Sequence, residues 1–329
     1  MGLATFRGGV HPFEGKELSM DRAVTVLKPT SGEMVYPLSQ HIGAPAKAIV
    51  KVGDEVLVGQ KIAEAGGFIS AVVVSSVSGK VKKIEPRVTA GGAKSISIVI
   101  ENDGLYTAVE GLGEDRDATK LSKQEIRDIV REAGIVGLGG AGFPTNVKLT
   151  PKDESKIDYV IVNGAECEPY LTCDYRMMIE EPERLVGGLK VMLQLFENAK
   201  AVIGIENNKP KAIEKLRALV KDEPKITVEP LRTKYPQGGE RSLIYAVTGR
   251  EINSSMLPAD AGCVVDNVNT VMAIYDAVCK RTPILERVIT VTGDAVKEPQ
   301  NFKVRTGMNY NDIIEAAGGF VGEPKKILS

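Results

Sequence analysis

The sequence predicts an α/β protein in three consecutive parts: an all-β module, a parallel α/β layer and a small α+β end. Three observations carry this. Between residues 40 and 100, apolar and polar residues alternate with period two, turn residues recur, and no helical period interrupts. From about 159 to 283, strand-like apolar runs alternate with segments of helical spacing, which implies a mainly parallel sheet covered on both faces. After residue 287, two strand patterns precede one short helix. A chain of 329 residues is ample for a hydrophobic core and suggests two or three domains, with bounds expected at 1–110, 118–283 and 284–329.

Taken in order, residues 1 to about 30 show little periodicity. Gly8, Gly9, Pro12, Gly15 and Pro29 suggest an extended arm laid over another domain. KAIVKVGDEVLVGQKIAEA (47–65) alternates, with turns at Gly53-Asp54 and Gly59-Gln60. ISAVVVSSVSGKVKKI (69–84) repeats the style with a turn at Ser78-Gly79, and SISIVIEN (95–102) adds a strand. A helix is expected over 121–134. Ser122 and Glu125 form a capping box, Ile126, Ile129, Val130 and Ala133 share one face, and Gly134 ends it. Strands are expected at 159–163, 201–206, 225–231 and 263–265, and helices at 182–198, 209–221, 239–248 and 269–280, with Pro283 closing the unit. RVITVTG and NFKVRTG then read as strands and NDIIEAAGG as a helix stopped by Gly318-Gly319. Two strands then a helix suggest a β-grasp type of α+β domain.

Composition excludes several classes. Lys plus Arg total 42 against 43 acidic residues, which argues against a nucleic-acid surface. No run approaches the ~18 apolar residues of a membrane span, and the N-terminus lacks the basic-then-apolar pattern of a secretory leader. Membrane association is therefore expected through partners. Cys167, Cys173, Cys263 and Cys279 match no zinc or iron–sulfur spacing, and Cys279 reads as core. With His11 and His41 the only histidines, a Ser-His-Asp triad or Cys-His pair is not expected.

The densest motif is GLGGAGFPT (137–145). It satisfies G-x-G-x-x-G, yet it follows a helix and runs into Pro144 and Pro151, so it is not the strand–turn–helix dinucleotide fingerprint. Four glycines within six residues still bring backbone N–H groups close to a phosphate or ring, with Lys148 just beyond. A plain connector is the alternative. NGAECEPYLTCDYR (163–176) follows a strand directly. Asn163, Glu166, Glu168 and Asp174 are expected to crowd there, to bind a metal, ribose hydroxyls or a flavin edge, or merely to form a solvated loop. YPQGGERSL (235–243) places Gly238-Gly239 before a helix start, with Glu240 at the same mouth. VVDNVNT (264–270) offers Asn267 and Thr270, good helix caps whatever else they bind. The β module resembles the biotinyl/lipoyl barrel-sandwich but has no lysine near its hairpin tip, Gly66-Gly67-Phe68-Ile69, so a structural or docking role is expected rather than a carrier role.

Together these segments resemble the RnfC family of the Rnf electron-transport (ion-translocating oxidoreductase) complex, over nearly the whole chain. The carrying stretches are GGVHPFEGKELS (8–19), the lysine-less sandwich, GLGGAGFPTNVKL (137–149), NGAECEPYLTCD (163–174), GGERSLIYAVTGRE (238–251) and LPADAGCVVDNVNT (257–270). The middle also resembles the NADH-binding flavoprotein subunit of respiratory complex I, and the end the SLBB β-grasp domain. The resemblance implies a barrel-sandwich hybrid, a Rossmann-like FMN/NADH domain and a partial SLBB domain. It implies FMN held on its phosphate side by Gly137, Gly139, Gly140 and Lys148, with Asn163, Glu166, Gly239, Glu240, Asn267 and Thr270 lining the rest. Phe143, Glu168 and Glu240 would meet NADH. No side chain is required as acid, base or metal ligand, since the flavin carries the chemistry. Complex I differs by a basic residue at Leu138, an aspartate at Ala165 and a second glutamate at Gly239. Ferredoxin-like and membrane subunits of the Rnf complex are the implied partners, at the cytoplasmic face of a bacterial membrane. The family continues into a region with two [4Fe–4S] clusters. This chain stops before it, where another strand is expected, and reads as truncated. A cobalamin-reductase-type flavoprotein shares the loop and sandwich, and a scaffold protein without cofactor keeps the same fold.

Overall fold

Short strands separated by glycine turns build the first sheets of this computed structural model, which describes residues 2–29, 32–89 and 91–328. The strands are β1 (Thr25–Leu27), β2 (Gly32–Pro37), β3 (Lys47–Ala48), β4 (Glu55–Val56), β5 (Lys61–Glu64), β6 (Val73–Val74), β7 (Gly79–Val88) and β8 (Lys94–Asn102). Strand β2 alternates inward and outward residues, whereas the middle of β8 is buried on both faces. One antiparallel sheet runs β2-β8-β7-β4 and a second β3-β5-β6. Their inward residues, among them Met34, Tyr36, Ile62, Val81, Ile98 and Ile100, form one core. This is the expected barrel-sandwich. Gly53 and Gly59 turn with positive φ as foreseen. Gly79 does not form the expected turn. It opens β7 opposite Asn102, where a Cβ would lie 2.0 Å from the Glu101 carbonyl oxygen, so close strand approach explains it. Phe68 stands 83% exposed at the lysine-free tip. Helix α1 (Lys123–Glu132) follows, with the predicted capping box: the Ser122 hydroxyl accepts the Glu125 N–H (3.2 Å) and the Glu125 carboxylate accepts the Ser122 N–H (2.8 Å).

The chain folds as two units, residues 24–146 with 276–329, and residues 1–23 with 147–275. The second is the α/β unit. After the single turn α2 (Thr145–Lys148) come β9 (Tyr159–Gly164), α3 (Cys173–Glu180), α4 (Pro182–Leu195), β10 (Lys200–Glu206), α5 (Pro210–Leu219), β11 (Ile226–Leu231), α6 (Glu240–Thr248), β12 (Cys263–Asn267) and α7 (Val268–Lys280). The four strands are parallel in the order β11-β10-β9-β12. Successive strands step one way from β9 to β11, then the chain returns to set β12 on the other side of β9. The order thus reverses between β9 and β12, the point at which sheets of this kind bind ligands. Helix α4 lies tight against α7. A Cβ on Gly188 would fall 2.1 Å from the Val271 carbonyl oxygen. Helix α3 was not foreseen, because its polar opening CDYR hides the buried Tyr175, Met177 and Met178. The arm lies along this unit as expected. Ala4 bridges Leu231, and Val10 and Tyr235 exchange two backbone hydrogen bonds of 2.8 Å. Cys279 is half-buried rather than core, because the inward positions of α7 fall on Ile274, Ala277 and Val278.

The C-terminal segment adds β13 (Glu286–Val291), β14 (Gln300–Arg305) and α8 (Tyr310–Ala316). These pack around Phe302, Val304, Ile313 and Ala317. The third strand of this sheet is β1, parallel to β14 with Thr25 opposite Phe302. Three residues with an almost wholly exposed pattern gave no strand signal in the sequence. No helix among the described residues is long and apolar enough to cross a membrane.

Candidate functional site at the ends of two parallel strands

Asn163 and Asn267 are register partners on β9 and β12, so the topology puts two carboxamides side by side at the switch point. Asn163 Nδ2 donates to the Gly238 carbonyl (2.8 Å) and its Oδ1 accepts the Ala165 N–H (3.3 Å). That ties the loop after β9 to the turn before α6. Asn267 Oδ1 accepts the Asn269 N–H (2.9 Å) and caps α7, as its type suggested. Its Nδ2 donates to Asp174 (2.6 Å), whose other oxygen accepts from Asn269 Nδ2 (2.6 Å). The α3 start is therefore fixed to the α7 start through one carboxylate. Thr270 is buried in the first turn of α7.

Glu166 is buried, with a φ of 48°. Its Oε1 accepts N–H groups of Asp174 (2.7 Å) and Tyr175 (3.4 Å) at the α3 N-terminus, while Oε2 has no hydrogen-bond partner. Burial pushes its pKa up to about 7. The Lys209 and Lys16 ammoniums oppose that shift and Asp174 adds to it. Lys209, also buried, donates to the Ala165 carbonyl (2.6 Å) and lies 3.5 Å from Glu206. The potential ligand atoms of Glu166, Cys173 and Asp174 fall within 4.8 Å of one another. The backbone amides, carboxamides and lysines around them account for that grouping as a hydrogen-bonded brace. Glu168 is exposed, and Cys167 accepts the Gly238 N–H (3.3 Å).

On the α6 side, Lys148 Nζ donates to Glu240 (3.2 Å) and the Val265 carbonyl (2.8 Å), and lies 3.8 Å from Asp266. Burial disfavours its charge, but Asp266 and Glu240 outweigh that and hold its pKa above the usual lysine value. Asp266 is 1% exposed and neither carboxylate oxygen has a hydrogen-bond partner. Burial lifts its pKa to about 6, with Lys148 pulling the other way and Glu240 adding to the rise. Gly239 caps α6, and Glu240 is its first residue. Asp266, Asn269 and Lys209 were not among the residues that the sequence singled out. An acidic residue inside the apolar run VVDN was the available signal for Asp266.

Gly137, Gly139, Gly140 and Phe143 belong to the other unit. Their loop is closed at its base by Gly137 N–H to the Phe143 carbonyl (2.9 Å) and Thr145 N–H to the Ile135 carbonyl (3.0 Å). Gly142, with φ +66°, is pressed against Gln40 and His41, whereas Gly139 and Gly140 are exposed and a Cβ on Gly140 would meet nothing within 4 Å. The loop base is thus structural and its tip presents bare backbone, which suits an anionic or planar ligand. In the α/β unit, the Lys148 ammonium and the unpartnered oxygen of Glu166, set near the paired strand ends, are polar groups of the kind that FMN requires, while the two carboxamides are engaged in holding the loops around them.

Residues 130–276 match the Nuo51 FMN-binding domain, residues 4–105 the RnfC barrel sandwich hybrid domain, and residues 288–326 the SLBB domain. The chain is 47% identical to the C component of the proton-translocating ferredoxin:NAD(+) oxidoreductase complex of Clostridium ljungdahlii, covering 99% of this chain and 71% of the relative. It is 46% identical to the counterpart from the Na(+)-translocating complex of Acetobacterium woodii (99% and 73%). It is 38% identical to the counterpart from the ion-translocating oxidoreductase complex of Pseudomonas aeruginosa (99% and 42%). Among solved structures, an NAD+-reducing [NiFe]-hydrogenase in the air-oxidized state superposes with a TM-score of 0.53 at 26% identity, over 64% of this chain and 41% of that one.

Proposed function

Because this chain belongs to the RnfC family of ion-translocating ferredoxin:NAD(+) oxidoreductases, we propose that it exchanges electrons with NADH through FMN bound at the β9 and β12 ends. It is an oxidoreductase component with an FMN-binding domain, and its relatives belong to complexes of several subunits. Bound FMN supplies the redox chemistry that side chains lack. The protein's own work is to hold and orient. Lys148, kept cationic by Glu240 and Asp266, offers a fixed positive charge. Asn163, Asn267, Glu166, Gly239 and Thr270 would line the rest of the cofactor. In the other unit, the bare backbone of Gly137, Gly139 and Gly140 would suit a phosphate and Phe143 a planar ring, and in the α/β unit Glu168 and Glu240 would meet NADH. Partners of the ferredoxin-like and membrane kinds, and a position on the cytoplasmic membrane face, belong to the same proposal.

The observation that carries this reading is the register pairing of Asn163 with Asn267 at the strand-order reversal, with Lys148 bonded to the Val265 carbonyl of the same strand β12. The test is FMN titration of the purified chain followed by anaerobic NADH. The expected result is stoichiometric binding and loss of the flavin band near about 450 nm. Protein that stays colourless after FMN addition refutes it.

A further inference from the structure

Resting on the flavin-site reading, we propose that the N-terminal arm is a positioning element of the site: Lys16 and the turn at Gly15 hold the loop 165–172 from behind and set the backbone that presents Glu166 and Glu168. That loop needs holding. It contains two non-glycine residues with positive φ, Glu166 (48°) and Tyr170 (69°), a conformation that persists only where the surroundings enforce it.

The arm supplies the enforcement within one stretch of eight residues. Lys16 is only 6% exposed, rare for a lysine. Its ammonium donates to the Glu168 carbonyl (3.0 Å) and the Leu171 carbonyl (2.6 Å), and so spans the loop. Tyr170 donates its N–H to the Glu14 carbonyl (2.7 Å). The hydroxyls of Ser19 and Thr172 share a hydrogen bond of 2.8 Å, and the Phe13 ring meets Tyr170 edge-on at 6.2 Å. Arg176 of α3 donates to the Met20 carbonyl (3.2 Å). Gly15 is required for this fit. Its φ is +61°, and a Cβ would lie 2.4 Å from the Tyr170 ring. Lys209 holds the other end of the loop at Ala165. The arm's contacts with the sheet edge and with the segment after it are made elsewhere, Ala4 against Leu231 of β11 and Val10 against Tyr235. Residues 13–20 therefore brace the loop and its entry into α3, with Glu14 also accepting from Asn208 Nδ2 (2.7 Å).

The experiment uses the full chain with Lys16→Met, Gly15→Ala, and Arg250→Met as control. Arg250→Met removes a two-pronged ion pair with Asp158 (2.6 Å each) in the same unit. In the cofactor-free chain, both arm variants are expected to raise amide exchange of residues 165–172 at least tenfold, with residues 201–206 unchanged. Both are also expected to weaken FMN binding at least tenfold, while Arg250→Met changes neither. Unchanged loop exchange and unchanged FMN affinity in the arm variants overturn the inference. So does an equal FMN loss in Arg250→Met, which would make the effect one of general stability. Should the unaltered chain not bind FMN, the flavin reading fails, and the exchange measurement still decides whether the arm orders the loop. If Lys16→Met does not fold, Gly15→Ala, which keeps the charge, carries the test.

Discussion

Replacing Asp266 by asparagine should stabilise the α/β unit at neutral pH, although it removes a partner of Lys148. Asp266 is enclosed and its oxygens lack hydrogen-bond partners. Burial lifts its pKa from 3.8 to about 6, with Lys148 opposing and Glu240 adding to the rise. The folded state thus binds the proton more tightly than the unfolded one. The penalty is absent below the ordinary value of 3.8, grows as pH rises, and is complete above about 6. A shift of about two pH units corresponds to about 3 kcal/mol, an upper bound for what Asp266→Asn can restore. Urea unfolding followed by far-ultraviolet circular dichroism, dominated by the helices of this unit, is the assay. At pH 8 the variant midpoint should rise by about 1 M, taking a slope of about 2–3 kcal/mol per molar urea. At pH 4 the two proteins should nearly coincide. Loss of stability at pH 8, or a gain independent of pH, would refute the reasoning. A gain confined to high pH would mean that Asp266 is retained for its hold on the Lys148 charge, at a cost in stability.

Three further outcomes follow from the same geometry. Gly140→Leu should leave thermal unfolding unchanged, since its Cβ meets open space, yet abolish FMN retention, whereas Gly142→Val should lower stability by a few kcal/mol through its positive φ and its contact with Gln40. Flavin absorbance after gel filtration, read beside the melting curve, separates the two. Lys148→Met should weaken FMN binding more than tenfold by titration and push the Asp266 pKa above about 6, so that stability falls as pH rises through that value. Ser122→Ala should cost about 1 kcal/mol through loss of the α1 capping box, with FMN affinity untouched.

Much of the architecture was legible because period and caps agree locally. The capping box at Ser122 and Glu125, and the apolar runs that became β9 to β12, carry their own signals. Positions set by distant partners were not legible. Strand β1 exists only because β14 lies beside it, and Gly79 is a glycine because of Glu101, not because of a turn. At the candidate site, Asn163, Glu166 and Asn267 could be named from strand-end position, and Glu240 from the glycine pair before a helix start. Asp266 carried one signal, an acid inside an apolar run, but its role, like those of Asn269 and Lys209, comes from being enclosed next to residues far along the chain. Lys16 illustrates the same limit. In sequence it is one lysine in a polar stretch, and only the carbonyls of Glu168 and Leu171 show what it does.

The pairing of β1 with β14 bears on how the molecule is made. Thr25 leaves the ribosome long before its partner Phe302, which is synthesised 277 positions later. At about 5–20 residues per second, the short strand waits roughly 15–55 s for its neighbour. This sheet therefore depends on a long-range closure that no earlier step can replace, and such closures are slow to form. Nascent chains released before residue 305 should carry an unsatisfied strand, open to capture by chaperones or by one another.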